Sequence, residues 1–132
     1  MIYKIRKKME IAGAHSLSLP YESKCNNLHG HNWIIEVEIV GTELNKENML
    51  IDFTQISTII NKLDHQNLNE ILPLLNPTAE NIAKWIATVL NKKLLSKWHS
   101  ENINGNNADC CPRWVSSIMI KESKGNTAWY IK

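Results

Sequence analysis

The chain of 132 residues is long enough for one domain with a buried core, and its 43% hydrophobic and 21% charged residues are typical of a globular protein. A net charge of +2 is too small to indicate a nucleic-acid-binding protein, and no apolar run approaches the roughly 20 residues that span a bilayer. Three cysteines without framework spacing, and a basic N-terminus that no apolar segment follows, favour a protein of the reducing cytoplasm.

Two strands are predicted in the first third of the chain. Residues 1–13 alternate between apolar and charged side chains, which is typical of a half-buried strand, and His15 keeps the parity of the apolar set. Residues 16–28 are rich in Ser and Asn and are predicted to form a loop. In residues 29–39 the odd positions are histidine or apolar, so a second strand is predicted there, with two histidines at the start of its buried face.

Two helices are predicted in the middle of the chain. Apolar residues recur with helical spacing between Ile56 and Leu63. A second helix is predicted after Pro77, where Thr78 can cap the N-terminus and Glu80 suits the positive end of the helix dipole.

The last third of the chain is predicted to contain a loop and a hairpin. Residues 96–113 are rich in Asn, Ser and Gly and lack periodicity, so we expect a loop, which includes Cys110 and Cys111 without a defined role. Strands are predicted over about 114–122 and 127–131, joined by a Gly-Asn turn.

The predicted order is strand, strand, helix, helix, strand, strand, within a single domain of residues 1–132. Runs of strands and then of helices are typical of an α+β fold. We therefore expect an antiparallel four-stranded sheet with two helices on one face.

Three histidines form the strongest chemical signal. His29 and His31 lie two residues apart and so point to the same face of a strand, and His15 follows the other strand with the same parity. Any one of them alone would more often be a structural histidine, but together they predict a zinc site. Three ligands leave a fourth position open, which is typical of catalytic zinc. Each ligand should donate its other ring N–H to an acceptor that the sequence does not identify.

Other polar residues are candidates for acid–base chemistry or binding. Cys25 precedes His29 by four residues, and its thiolate can ligate a metal, attack as a nucleophile or act as a base; spacing does not choose among these roles. The adjacent Asp64 and His65 suit proton transfer, although a structural role is equally expected. Glu122 has the parity of the buried positions, so it needs a partner, either a ligand with two N–H donors or an internal Arg or Lys.

In order and separation these positions resemble the family of 6-pyruvoyl-tetrahydropterin and 6-carboxy-tetrahydropterin synthases over nearly the whole chain. The resemblance rests on Ala14-His15, Cys25 through Asn32, Ile51-Asp52-Phe53, Leu63-Asp64-His65 with Leu68-Asn69, Asn76-Pro77-Thr78 with Glu80, and Lys121-Glu122. It implies the tunnelling fold, in which the sheets of several subunits join into a barrel, commonly as a homo-hexamer of two stacked trimers.

The resemblance also implies the roles of the candidate residues. Zinc would be held by His15, His29 and His31. The general base would be Cys25, with Asp64 and His65 as its partner dyad. Glu122 would hold the pterin ring, and Thr78 would be a further pterin contact.

The three residues between Cys25 and His29 are similar to the spacing in the short bacterial 6-carboxy-tetrahydropterin synthases. That branch implies conversion of 7,8-dihydroneopterin triphosphate to a 6-carboxy-tetrahydropterin with release of acetaldehyde and triphosphate, in queuosine biosynthesis. A pyruvoyl-forming synthase and a pterin-binding protein without turnover are two alternatives, and a structural zinc module with four protein ligands is a third.

Overall fold

A computed structural model of the protein describes residues 1–73, 76–102 and 111–132. In chain order its elements are β1 (Tyr3–His15), β2 (His29–Gly41), α1 (Phe53–Asn61), β3 (Gln66–Asn67), α2 (Leu68–Ile71), α3 (Ala79–Glu101), β4 (Arg113–Ser123) and β5 (Asn126–Ile131). No helix within these residues is long and apolar enough to cross a membrane.

The strands form one sheet in the order β3-β1-β2-β4-β5. The pairs β1–β2, β2–β4 and β4–β5 are antiparallel, whereas β3 runs parallel to β1. The helices α1 and α3 contact each other and pack on this sheet, α1 against β1 and α3 against β4 and β5. The α+β class and the antiparallel body of the sheet are as predicted.

The core lies between the sheet and the helices and follows from side-chain alternation along the strands. One register shift, between Glu38 and Ile39 of β2 in its pairing with β4, changes the parity of the buried positions along β4. The buried hydrophobic residues of the strands are Ile11, Trp33, Ile35, Val37, Ile39, Val115, Ile118 and Ile120.

Local signals correctly located several element ends. The side chain of Thr78 accepts a hydrogen bond from the N–H of Asn81, 3.2 Å away, and caps α3 as predicted. Asp52 caps α1 in the same way through the N–H of Thr54. The β4–β5 turn contains Gly125 at a φ of 86°, a left-handed conformation that glycine adopts without strain.

The predicted count of four strands and two helices is wrong, because the described residues form a sheet of five strands and three α-helices. The additional strand β3 has two residues and pairs with Gly13 and Ala14 of β1. The additional helix α2 is a single turn of four residues. Neither element is long enough for a periodic pattern of side chains, so hydrophobic periodicity could not reveal them.

The predicted loop over residues 96–113 is wrong in its first part, because α3 continues to Glu101. Ser96, His99 and Ser100 are exposed in this last stretch, so the helix needs no apolar period there. Residues 103–110, which include Cys110, lie outside the described residues.

Asn102 caps the C-terminus of α3, and its side chain donates a hydrogen bond to the carbonyl oxygen of Trp98 at 2.9 Å. Cys111 is half-buried, and its Sγ lies 3.7 Å from the carbonyl oxygen of Leu94, a residue of α3.

Truncation of Ile118 to alanine should lower the free energy of unfolding by about 2–5 kcal/mol, because its side chain is fully buried (0% exposed) in the core of the sheet. The matched control is Ile2→Ala, at a position that is 64% exposed, where we expect a change within about 0.5 kcal/mol. Urea unfolding measures both. Equal losses in the two variants would contradict the placement of the core.

Candidate metal centre and active site

The pairing of β1 with β2 brings the three predicted histidines together. His15 lies directly opposite His29, and His31 lies opposite Gly13, two residues along on the same face. One ring nitrogen from each histidine lies within 4.8 Å of those of the other two. The ring centroids are 4.6–5.2 Å apart. The cluster can therefore hold a single metal ion.

Backbone carbonyl groups decide which nitrogen of two histidines is available. Nδ1 of His15 lies 2.7 Å from the carbonyl oxygen of Pro77, and Nδ1 of His29 lies 2.7 Å from that of Asn27. A carbonyl oxygen only accepts hydrogen bonds, so each Nδ1 carries the proton. The lone pair of each ring is then on Nε2, as a metal ligand requires.

Burial favours the neutral form of two of the rings. Desolvation is the main cause that lowers the pKa of His15, whose side chain is 1% exposed, and it also lowers the pKa of His31. The Nε2 atoms of both rings are buried and have no hydrogen-bond partner among the described residues. Buried, unpartnered imidazole nitrogens with free lone pairs suit zinc or another divalent transition metal, so the donor set fits such an ion.

Glu122 lies at the edge of the histidine cluster. Its Oε1 is 3.4 Å from Nε2 of His15 and 3.7 Å from Nε2 of His31. Because burial favours the neutral form of both imidazoles, we interpret these approaches as contacts between neutral rings and a carboxylate rather than as ion pairs. Glu122 and Thr78 both line a cleft of about 400 Å³ beside the cluster. The carboxylate is thus available to a ligand in that cleft.

The side chains of Asp64 and His65 lie in close contact just before β3, although adjacent residues seldom pair in this way. Nδ1 of His65 lies 3.0 Å from Oδ2 of Asp64, while Oδ1 of Asp64 accepts the N–H of Ala12 at 2.9 Å. That N–H is the main cause that holds the pKa of Asp64 below its usual range. His65 has a φ of 57°, and its own N–H donates to the carbonyl oxygen of Ala12 at 2.6 Å.

The side chain of His65 is 81% exposed and lines a second cleft, of about 500 Å³, together with His31. The cleft that contains Glu122 is a different one. The histidine cluster reaches the second cleft through His31 and approaches the first only through its contact with Glu122. The structure therefore does not gather all predicted site residues of one chain into a single cavity.

Cys25 is exposed on the loop between β1 and β2, in a single 3₁₀ turn of residues Lys24–Asn26. Its N–H donates to the hydroxyl of Ser23 at 3.1 Å, and its carbonyl oxygen accepts the N–H of Leu17 at 2.8 Å. These bonds fix the backbone of the turn and leave the thiol open to a substrate. The role of Cys25 as a base remains a prediction.

Sequence reasoning left several contributors to the site unidentified. The carbonyl groups of Pro77 and Asn27 gave no signal, because every residue carries a carbonyl and only the fold selects these two. The side chains of Asn69 and Asn76, which contact the Cys25 loop, belong to the quoted motifs, but their targets are more than 50 residues away in sequence (separations of 53 and 58).

Comparison with known proteins gives a consistent result. The family model described as 6-pyruvoyl tetrahydropterin synthase matches residues 4–131. A Synechocystis 6-carboxy-5,6,7,8-tetrahydropterin synthase is 32% identical over 108 residues, which are 75% of this chain and 83% of the relative. A Pyrococcus furiosus dihydroneopterin monophosphate aldolase is 36% identical over 85 residues, or 61% of this chain and 68% of the relative.

Other similar proteins match over a shorter segment or only in fold. A putative 6-carboxy-5,6,7,8-tetrahydropterin synthase of Pyrococcus horikoshii is 49% identical over 70 residues, or 50% of this chain. The match spans less than half the length of that protein (44%) and of its Pyrococcus abyssi counterpart (36%). The structure of Caenorhabditis elegans 6-pyruvoyl tetrahydropterin synthase shares the fold, with a TM-score of 0.64 and 22% identity over 100% of this chain and 96% of that one.

The metal-free protein should lose stability as the pH falls below the ordinary histidine value of 6.5. Folding lowers the pKa of His15 and His31, so below pH 6.5 the unfolded chain binds more protons than the folded one. The contribution of the two neutral histidines to the free energy of unfolding is therefore fully present above pH 6.5. It is lost as the pH falls toward the lower pKa values that the two rings have in the folded protein.

Urea unfolding at about pH 7.5, 6.5 and 5.5 in the presence of a chelator measures this dependence. We expect the slope just below pH 6.5 to be smaller in His15→Gln than in the wild type, and to be retained in His99→Gln, which lies near the end of α3. Equal slopes in the wild type and in His15→Gln would contradict the effect of burial.

Proposed function

The chain belongs to the 6-pyruvoyl tetrahydropterin synthase family, and from this premise we propose that it is a zinc-dependent carbon–carbon lyase of the cytoplasm. The proposed substrate is 7,8-dihydroneopterin triphosphate and the proposed product is 6-carboxy-5,6,7,8-tetrahydropterin, for queuosine biosynthesis. The observation that carries the proposal is the cluster of His15, His29 and His31, with two buried Nε2 atoms that lack a partner, beside the cleft that Glu122 lines.

The three histidines would hold the zinc ion. In His15 and His29 the ligand atom would be Nε2, because Nδ1 of each ring carries the proton. Zinc bound there would lower the pKa of substrate hydroxyl groups and stabilise negative charge on their oxygens. Glu122 would accept hydrogen bonds from the amino and ring N–H groups of the pterin, which supplies the partner that a carboxylate at this depth needs. Thr78, in the same cleft, would contact the ring.

We assign the proton transfers to side chains that are exposed to solvent. The Cys25 thiolate would remove a proton from the substrate side chain, for which its exposed position on the loop after His15 is suitable. His65 would pass protons to and from the substrate. Asp64 would hold the ring of His65 in one tautomer through the contact of 3.0 Å to Nδ1, and would stabilise the protonated ring.

The overall reaction balances with one water molecule. Loss of triphosphate and internal redistribution of hydrogen leave two adjacent carbonyl carbons on the side chain. Addition of water and cleavage of the bond between those carbons release acetaldehyde and leave a carboxyl group on the ring. Without the second stage the product would be the 6-pyruvoyl compound.

We propose further that the protein is a homo-hexamer of two stacked trimers. The strand β5 lies at one edge of the sheet, and no described strand pairs with its outer side. At the other edge, β3 pairs with only two residues at the end of β1, so the rest of the outer side of β1 has no partner among the described strands. Unpaired edges of this length readily pair with another chain. Exposed apolar side chains on β5, Trp129 (59%) and Ile131 (75%), also favour a covered surface.

Incubation of the zinc-loaded protein with 7,8-dihydroneopterin triphosphate should release acetaldehyde in a one-to-one ratio with triphosphate. Acetaldehyde is measured in a coupled assay with a dehydrogenase that acts on it, and the pterin products are identified by mass spectrometry. Triphosphate without acetaldehyde would assign the pyruvoyl-forming activity instead.

Two further outcomes would contradict the proposal when dihydroneopterin monophosphate is assayed in parallel. Binding of the pterin without any turnover would indicate a pterin-binding protein that is not an enzyme. Turnover of dihydroneopterin monophosphate in place of the triphosphate would favour the activity named for the Pyrococcus furiosus relative.

Substitution of Cys25 by alanine should lower kcat by about 10²–10⁴-fold and leave one zinc per chain, because the thiol is assigned to proton removal rather than to the metal. His15→Ala is the matched variant and should lose both turnover and zinc, since it removes a ligand at the centre of the cluster. Zinc content is measured by atomic emission after gel filtration. Loss of zinc from Cys25→Ala would make the cysteine a ligand and contradict its role as base.

A further inference from the structure

We propose that Asn69 and Asn76 are positioning residues that place Cys25 and one wall of the pterin cleft. The inference rests on the proposed function, in which Cys25 is the base and Glu122 holds the pterin. It follows from how the two asparagines bind residues 16–18, the segment that continues from β1 into the Cys25 loop.

Each asparagine binds both backbone groups of one serine. Oδ1 of Asn69 accepts the N–H of Ser16 at 2.7 Å, and its Nδ2 donates to the carbonyl oxygen of Ser16 at 2.8 Å. Oδ1 of Asn76 accepts the N–H of Ser18 at 2.6 Å, and its Nδ2 donates to the carbonyl oxygen of Ser18 at 3.2 Å. We call the two side chains and the two serine backbones the asparagine clamp.

The clamp replaces a strand partner. A carboxamide carries one carbonyl acceptor and one N–H donor side, as a peptide group does, so each asparagine reproduces the paired hydrogen bonds of an antiparallel neighbour. In an extended segment, alternate residues direct their backbone groups to opposite sides. Ser16 and Ser18 therefore face the asparagines, while Leu17 between them faces the other way.

Leu17 connects the clamped segment to both parts of the site. Its N–H donates to the carbonyl oxygen of Cys25 at 2.8 Å, which ties the turn that carries the thiol to the clamped segment. Leu17 also lines the cleft of about 400 Å³ together with Glu122 and Thr78. Displacement of residues 16–18 would therefore move Cys25 and open the cleft wall at the same time.

The clamp is anchored close to the metal ligands. Asn76 immediately precedes Pro77, whose carbonyl oxygen orients His15, and its own carbonyl oxygen accepts a hydrogen bond from the side chain of Asn81 at 2.9 Å. Asn69 is held in the short helix α2, where its N–H donates to the side chain of Asn67 at 3.1 Å. The position of Cys25 is thus set relative to the same backbone that sets the His15 ring.

The test uses Asn69→Asp and Asn76→Asp, which keep the shape of the side chain but replace the N–H donor by an oxygen that faces a serine carbonyl. We expect kcat for 7,8-dihydroneopterin triphosphate to fall by up to ~10²-fold, since misplacement of a reacting group by about 1 Å has an effect of that size. Zinc content should remain at one per chain. Hydrogen exchange at the Leu17 amide, followed by NMR, should become at least about tenfold faster.

Two control variants separate positioning from general destabilisation. Asn91→Ala removes an asparagine–backbone hydrogen bond of 2.9 Å to the N–H of Val115, away from the loop, and should leave kcat and Leu17 exchange as in the wild type. Leu17→Ala removes the cleft wall but keeps the N–H that binds Cys25. It should raise KM with a much smaller change in kcat than the aspartate variants show.

The proposal is overturned if both aspartate variants retain the kcat and the Leu17 exchange rate of the wild type. It is equally overturned if kcat falls only in proportion to loss of zinc or of cooperative unfolding. An inactive wild type would refute the proposed function instead. The exchange measurement would then still decide whether the asparagines hold the segment, because it needs no substrate.

Discussion

In the antiparallel pairing of β1 with β2, His15 lies opposite His29 and Gly13 lies opposite His31. All three histidines share one face in this register, and a shift by one residue would turn one strand's side chains to the other face. The buried core residues of the two strands are on the same face and oppose such a shift, since a slip by one residue would expose them. Formation of the core and assembly of the ligand cluster are therefore the same event.

Burial of the unpaired histidine nitrogens costs free energy, which a bound ion would offset. Two Nε2 atoms are buried without partners among the described residues, and an unpaired buried polar group costs about 1–3 kcal/mol. The carbonyl groups of Pro77 and Asn27 hold the rings of His15 and His29 so that the lone pairs remain free for a ligand. Metal binding would then stabilise the fold as well as equip the site. The same short segment before α3 orients His15, clamps the Cys25 loop through Asn76 and caps the helix through Thr78.

Much of the fold was accessible from local patterns. Alternation predicted β1 and β2, helical spacing predicted α1, and the Thr78 cap and the Gly-Asn turn located the start of α3 and the last hairpin. These signals are local because the side chains that produce them are neighbours along one element. The short elements β3 and α2 and the polar end of α3 were missed, since two residues, one turn and a polar helix end have no apolar period.

The sequence by itself determined which residue types are present and on which face of a strand they stand, so the histidine cluster and the inward position of Glu122 could be expected. The tertiary structure alone decided the partners of those residues. The acceptor for His15 is 62 residues away, the partner of Ser16 is 53 away, and Asp64 binds the backbone of Ala12 across 52 residues. Such contacts involve backbone groups that every residue possesses, and only the folded chain selects which of them meet.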